Sequence, residues 1–167
     1  TKLLLRLGVV LLGLRLPFGE VIGVGAAGLL VVVATVAATY AATQVVGARL
    51  ALDRRFVALL AAGFSICGAA AIAAVDDAVR ARSKDVALAV ALVTLFGTAM
   101  IGLVPWASRL LGLTDQQAAV WAGASIHEVA QVVAAASIIG SGALAVATTI
   151  KLGRVVLLAP VYAASAR

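Results

Sequence analysis

The stretch "AGASIHEVAQVVAAA", Ala122 to Ala136, sets a histidine and a glutamate side by side inside an apolar run. What that pair means depends on the solvent around the run. The chain has 167 residues, of which 64% are hydrophobic and only 12% charged. Its mean hydropathy is +1.17. A soluble domain is usually about half apolar and about a quarter charged. So little polar surface cannot cover a globule in water. The composition therefore predicts an all-α, polytopic helical membrane protein, because lipid cannot satisfy open backbone groups.

Apolar length divides the chain into about six membrane segments. The first, Leu3 to Leu16, is short and carries Arg6. The second runs from Val21 to Val46, the third from Phe56 to Val75 and the fourth from Val86 to Leu111. The fourth holds Pro105 and Trp106 near its far end, where an aromatic commonly marks the interface. "GLTDQQ" opens the fifth, with Thr114 or Asp115 as N-cap, and it runs to Ile139. The sixth covers Ala143 to Ala164 and carries Lys151 and Arg154.

The formal net charge of +6 comes from Lys and Arg concentrated between the apolar runs. It reads as topology and lipid headgroup contact. Nucleic acid is not an expected partner, because the basic residues form no continuous stripe. Taken as spans, the segments place Arg49, Arg54, Arg55 and Arg109 on one side and Arg80, Arg82 and Lys84 on the other, so orientation stays open. Asp76, Asp77 and Glu20 lie at segment ends and are expected to be solvated. A lone cysteine, Cys67, gives no disulfide and no metal cluster, and its position suggests an inert small residue. No zinc signature, phosphate loop or cofactor motif is present. The opening "TKLLLRLGVV" has neither an initiator Met nor a charged leader, as if cut from a longer protein.

Two of the segments share a signature. "AGFSICGAAAIAA" from Ala62 aligns with "AGASIHEVAQVVA" from Ala122 at an offset of 60 residues, with Gly63/Gly123, Ser65/Ser125 and Ile66/Ile126 coincident. Gly-x-Ser at mid-membrane lets a helix unwind, because glycine tolerates unusual backbone angles and a serine hydroxyl can replace lost bonds. Breaks are expected near Gly63–Gly68 and Gly123–Ser125. Unwinding exposes amides at the start of the second half-helix, a ready anion site. One span separates the two segments, so both should cross in the same direction and should not be inverted mates. Close packing by small residues is the structural alternative.

The pair His127–Glu128 lies roughly 17 Å beyond Gln116 at helical rise. A charge at that depth costs about 2.5–3.5 kcal/mol on insertion scales, so it needs a cavity or a partner. Ser125, Glu128 and Gln131 share a helix face, and His127 pairs with Gln131. In the next segment Lys151 stands at a similar level. Lys151 or Arg154 is therefore expected to approach Glu128 or the patch around it, or to reach an interface. A structural ion pair to Glu128 is one outcome of that expectation.

"LLLRLGVVLLGLRL", "AGFSICGAAAIAA", "GASIHEVAQVVAAA" and "IKLGRVVLLAP" closely resemble the YeiH family of bacterial inner-membrane proteins, usually labelled sulfate exporters by inference. The likeness covers nearly the whole chain and is strongest over Gly123 to Ala135. It implies a carrier related to the cation/proton antiporter and bile-acid symporter superfamily, with inverted repeats and crossed broken helices. Members of the family are about twice as long, so residues 1–167 are expected to be a single transmembrane region from the middle of a longer transporter.

The leading expectation is a secondary transporter of a small inorganic or organic anion, multi-pass in the inner membrane. Ser65, Cys67, Gly68, Ser125, His127, Glu128 and Gln131 would bind substrate, with Lys151 and Arg154 as structural or coupling charges. Protons or sodium are the candidate coupling ions, and a homodimer is the candidate assembly. A cation/proton antiporter using Glu128 and a non-transporting scaffold are the alternatives. An enzyme is not expected: Ser125 and His127 are two residues apart on a helix and face different ways.

Overall fold

The computed structural model describes residues 25–158 and 161, and those residues are helical with short connections. Seven helices follow in order: α1 (Gly25–Arg49), α2 (Arg54–Ser65), α3 (Ala69–Val79), α4 (Ser83–Leu110), α5 (Asp115–Ser125), α6 (Val129–Ile139) and α7 (Ala143–Val156). The expected first segment lies outside the described residues, as do the start of the second and most of the end of the sixth.

Local chemistry sets the helix starts. The Asp53 carboxylate accepts from the amides of Arg55 at 2.9 Å and Phe56 at 3.3 Å, which opens α2. Those two donors, Phe56 foremost, hold the Asp53 carboxyl below the usual carboxylate range. Thr114 caps α5 in a capping box with Gln117, which settles the choice between Thr114 and Asp115. At the far end of α4, Pro105 stays within the helix and Trp106 is exposed.

Two helices are long and apolar enough to cross a membrane, Gly28–Arg49 and Ser83–Leu110. Both turn large apolar side chains outward: Leu29, Leu30 and Val33 on α1, and Leu88, Leu95, Phe96, Leu103 and Trp106 on α4. Water would penalise such a stripe, whereas lipid is its natural neighbour.

The third and fifth segments do not cross the bundle, which corrects the reading of them as spans. α2 and α3 form a helical hairpin that turns back at mid-bundle. The guanidinium of Arg55, at the start of α2, reaches the carbonyl of Arg80, just past the end of α3. α5 and α6 form a second hairpin of the same kind. A methyl placed on Gly140, after α6, would meet the Asp115 carboxylate at the start of α5. Arg109 Nη2 also donates to the Ile138 carbonyl at 2.8 Å, tying that base to the end of α4.

α4 explains how the hairpins are disposed. Its first half packs on the first hairpin, where Ala89 and Val93 join Leu59, Ile72 and Val75. Its second half packs on the second, where Val104 joins Ala119, Ala122, Val132 and Ala135. With 28 residues α4 is about 42 Å long, so the hairpins enter from opposite ends. They are inverted relative to one another, contrary to the expectation of a common direction. The alanine-rich contacts allow this close approach of backbones.

The inverted arrangement also regroups the charges. Arg49, Arg54, Arg55, Arg80, Arg82 and Lys84 all lie at the base of the first hairpin, not on two sides. Arg82 Nε there pairs with Asp85. Asp76 and Asp77 are half-buried near the same base rather than fully solvated.

Candidate functional site where two hairpin tips meet

Each hairpin turns over three residues at the predicted offset of 60. Ile66, Cys67 and Gly68 make the first turn; Ile126, His127 and Glu128 make the second. The second break comes just after the expected Gly123–Ser125, because α5 remains helical through Ser125. In the first turn the Gly68 amide donates back to the Gly63 carbonyl at 3.0 Å, and Gly68 adopts φ +69°, a conformation that L side chains rarely take. In the second, Glu128 stands as N-cap of α6, and its amide donates to Gln131 Oε1 at 3.1 Å.

The two turns touch. Lys151 Nζ, fully buried on α7, donates to the carbonyls of Ile66 at 2.6 Å and Ile126 at 2.8 Å. One nitrogen therefore holds the last carbonyl of both first half-helices. Arg154 sits one turn further along. Its Nε and Nη2 donate to the Ser65 carbonyl, Nη2 also to Phe64, and Nη1 to Ala124 at 2.7 Å and Ile126 at 3.2 Å. The carbonyl ends of α2 and α5 each carry roughly half a negative charge, and two cations between them answer it.

Both cations approach the fifth-segment patch, one of the expected outcomes, but without the ion pair to Glu128 that was the structural alternative. Their donors go to main-chain carbonyls, because two helix ends at mid-bundle leave acceptors that nothing else satisfies. Ser65 serves the site through its carbonyl, and neither serine hydroxyl is turned toward it. Ser65 Oγ is turned back to the Ala62 carbonyl at 3.4 Å, and Ser125 Oγ to that of Trp121 at 2.8 Å.

The other poles of the turns, the N-termini of α3 and α6, also lie together. A methyl on Gly68 would come 2.9 Å from Glu128 Cγ. Cys67 is buried at the place in the first turn that His127 holds in the second. The His127 ring packs on Phe64, with centroids 5.0 Å apart, and Phe64 meets Phe96 of α4 edge-on. Gln131 Nε2 reaches the Thr94 carbonyl and Thr98 Oγ1 on α4. A methyl on Gly97, between those threonines, would collide with the Gln131 carboxamide.

All nine sequence-chosen residues thus lie at or beside the meeting point: Ser65, Cys67, Gly68, Ser125, His127, Glu128, Gln131, Lys151 and Arg154. Phe64, Thr94, Gly97 and Thr98 were not singled out. Thr94-x-x-Gly97-Thr98, polar and small at the middle of an apolar run, was the signal for the last three. Among the described residues, no group of His, Cys, Asp and Glu could hold a metal ion.

Helices with lipid-facing apolar stripes around an interior that bonds two buried cations define a helical membrane protein. The chain belongs to the family described as conserved hypothetical protein 698, whose family model matches residues 1–164. It is 49% identical over 163 residues to a UPF0324 membrane protein of Corynebacterium glutamicum, covering 98% of this chain and 47% of that one. It is 43% identical over 164 residues to a UPF0324 membrane protein of Yersinia pestis, covering 94% and 45%. The UPF0324 inner membrane protein YeiH of Salmonella typhi is 40% identical over 160 residues, with 94% and 46% covered. The YeiH resemblance read from the motifs therefore holds, and this is a bacterial membrane protein. The chain spans about half the length of the curated relatives it matches. No solved structure matches it.

Proposed function

We propose that the chain forms the central, multi-pass part of a secondary transporter that moves a small anion across the bacterial inner membrane. The observation that carries this reading is the junction of the two hairpin tips. Broken helices meeting near the midplane are the usual substrate sites of secondary transporters, and irregular backbone is tolerated at that depth only inside protein or along a cavity. The hairpins would be re-entrant, one from each leaflet.

The charge balance favours an anion. Lys151 and Arg154 offset the negative ends of α2 and α5, while the N-termini of α3 and α6 add two positive poles against one carboxylate, Glu128. Sulfate is the first candidate, and protons or sodium are the coupling ions to try. A carrier suits the site better than an enzyme, because the Ser125 hydroxyl is turned into its own helix, away from any nucleophilic role.

The test is flux into proteoliposomes holding the full polypeptide. Saturable uptake of labelled sulfate, competed by other small oxyanions, supports the reading. Proton or sodium flux indifferent to every anion would favour the antiporter that uses Glu128. No flux of any of these ions would favour a scaffold.

A further inference from the structure

The carbonyl ends of α2 and α5 converge where neither lipid nor a regular helix can satisfy them. Ile66 and Ile126 turn their oxygens toward one point, and Lys151 Nζ occupies it, 2.6 Å from the first and 2.8 Å from the second. Lys151 is completely buried. Unwound carbonyls and the C-terminal ends of half-helices are what broken helices offer a sodium ion in secondary transporters. Rings of backbone carbonyls likewise replace the hydration shell of a potassium ion. Here the chain brings a positive charge to such oxygens on its own side chain.

The surroundings hold that point open for a cation. Arg154 is anchored beside it, because its guanidinium donates to the carbonyls of Phe64, Ser65 and Ala124 and reaches Ile126 at 3.2 Å. Nor can α7 move inward to close a gap at Lys151. A methyl on Gly123 of α5 would meet the Ala147 carbonyl and the Ile150 side chain, so the two helices already lie in backbone contact. On the far side, a methyl on Gly153 would stand 3.5 Å from Val32 of α1.

We infer that the junction of the two carbonyl ends is a monovalent-cation site, filled in this protein by the ammonium of Lys151 in place of a free sodium ion. The tethered ion cannot leave, so sodium has no place at the crossing. Each helix end carries roughly half a negative charge, and one positive charge balances the two. Carbonyl ligands without a carboxylate suit a monovalent ion better than a divalent one. The site exists whichever solute the protein moves. For an anion carrier it means that a coupling sodium ion has to bind elsewhere.

Lys151→Ala removes the atoms from Cγ to Nζ, which n-propylammonium replaces one for one, and buried gaps of this kind collapse only in part. The full polypeptide is unfolded thermally in detergent, in sodium, n-propylammonium or choline chloride at equal ionic strength. Choline is too bulky for the gap and serves as the reference. Sodium and n-propylammonium should each raise the midpoint of Lys151→Ala by about 1–3 °C over choline, more at higher concentration. The unaltered protein, and Lys151→Met with an apolar side chain in the gap, should show no such difference between salts. If Lys151→Ala does not fold in choline, recovery of monodisperse protein replaces the midpoint and should depend on the same two cations. Indifference of Lys151→Ala to sodium overturns the inference even where n-propylammonium restores it, because any truncated lysine can be repaired that way. A sodium gain as large in the unaltered protein overturns it too, as does a variant that no salt recovers. None of these outcomes alters the anion flux, which decides the transport reading separately.

Discussion

Arg55 donates from Nη1 to the carbonyl oxygen of Arg80 at 3.1 Å, although 25 residues separate them. That bond turns an apparent membrane span into a hairpin. Its counterpart is the contact of Asp115 with Gly140 at the opposite end of the bundle. Together they place four half-helix ends at mid-bundle: two carbonyl ends bridged by α7 and two amide ends around Glu128. Every functional reading of the molecule follows from that arrangement.

Lys151 is the residue that joins the tips, so its loss should be felt at both. Lys151→Met leaves the Ile66 and Ile126 carbonyls without their charged donor. Hydrogen bonds to charged groups contribute about 1.5–3 kcal/mol each, and a buried acceptor left unpaired adds to the loss. We expect a lower thermal midpoint in detergent and faster amide exchange at residues 66–72 and 126–132. An unchanged midpoint and exchange pattern would show that the bridge contributes nothing.

The packing of Gln131 on α4 gives a paired prediction. Gly97→Ala should destabilise the protein, because the new methyl meets the Gln131 carboxamide and pushes it from Thr94 and Thr98. Overpacking of this kind costs about 1–3 kcal/mol. Adding Gln131→Ala should recover much of that loss, since the clash disappears. A double variant as unstable as the sum of the two single ones would refute the contact.

The basic base of the first hairpin sets the topology. Arg49, Arg54, Arg55, Arg80, Arg82 and Lys84 gather at one end, where the other end has Arg109 among the described residues. Positive residues are retained in the cytoplasm, so that end should face it. With Cys67 replaced by serine, a cysteine at Gln116 should react with an impermeant maleimide in intact cells, and one at Lys84 should react only after lysis. The reverse pattern would invert the molecule.

Asp53 should make the start of α2 sensitive to acid. Its carboxyl is held below the usual value of 3.8 by the amides it caps, so the cap is present above that value and is lost as pH falls through the lowered one. Asp53→Asn keeps a capping oxygen without the titration. The difference in thermal midpoint between the two proteins should shrink as pH drops from about 5 to 2. A constant difference would mean that the carboxyl does not titrate in that range.

Much of this was legible in the sequence, because the responsible forces are local or compositional. The apolar content dictated helices in lipid, and the repeat of Ala-Gly-x-Ser-Ile marked both breaks to within a few residues. The direction of the chain after each break was not legible. Phe56–Val75 reads as a span by apolar length, and a hairpin of two half-helices has the same composition. The like charges at both ends of that segment, Arg54 and Arg55 before it and Arg80 and Arg82 after, were the available sign of a return. The partners of Lys151 and Arg154 were hidden for a related reason. Helix-end carbonyls become acceptors only once the hairpins exist, and a nearby carboxylate looks like the better partner until then.

Spin-label distances across the two hairpin bases test the inverted-hairpin arrangement most directly. In a Cys67→Ser background, one pair of labels goes at Arg54 and Val79, and a second at Asp115 and Ile139. Helices packed side by side lie 8–10 Å apart, so with label arms both distributions should centre below about 20 Å. Straight helices through both breaks would instead separate the labels by about 36–38 Å, and such distances would contradict the hairpins and the site built on them.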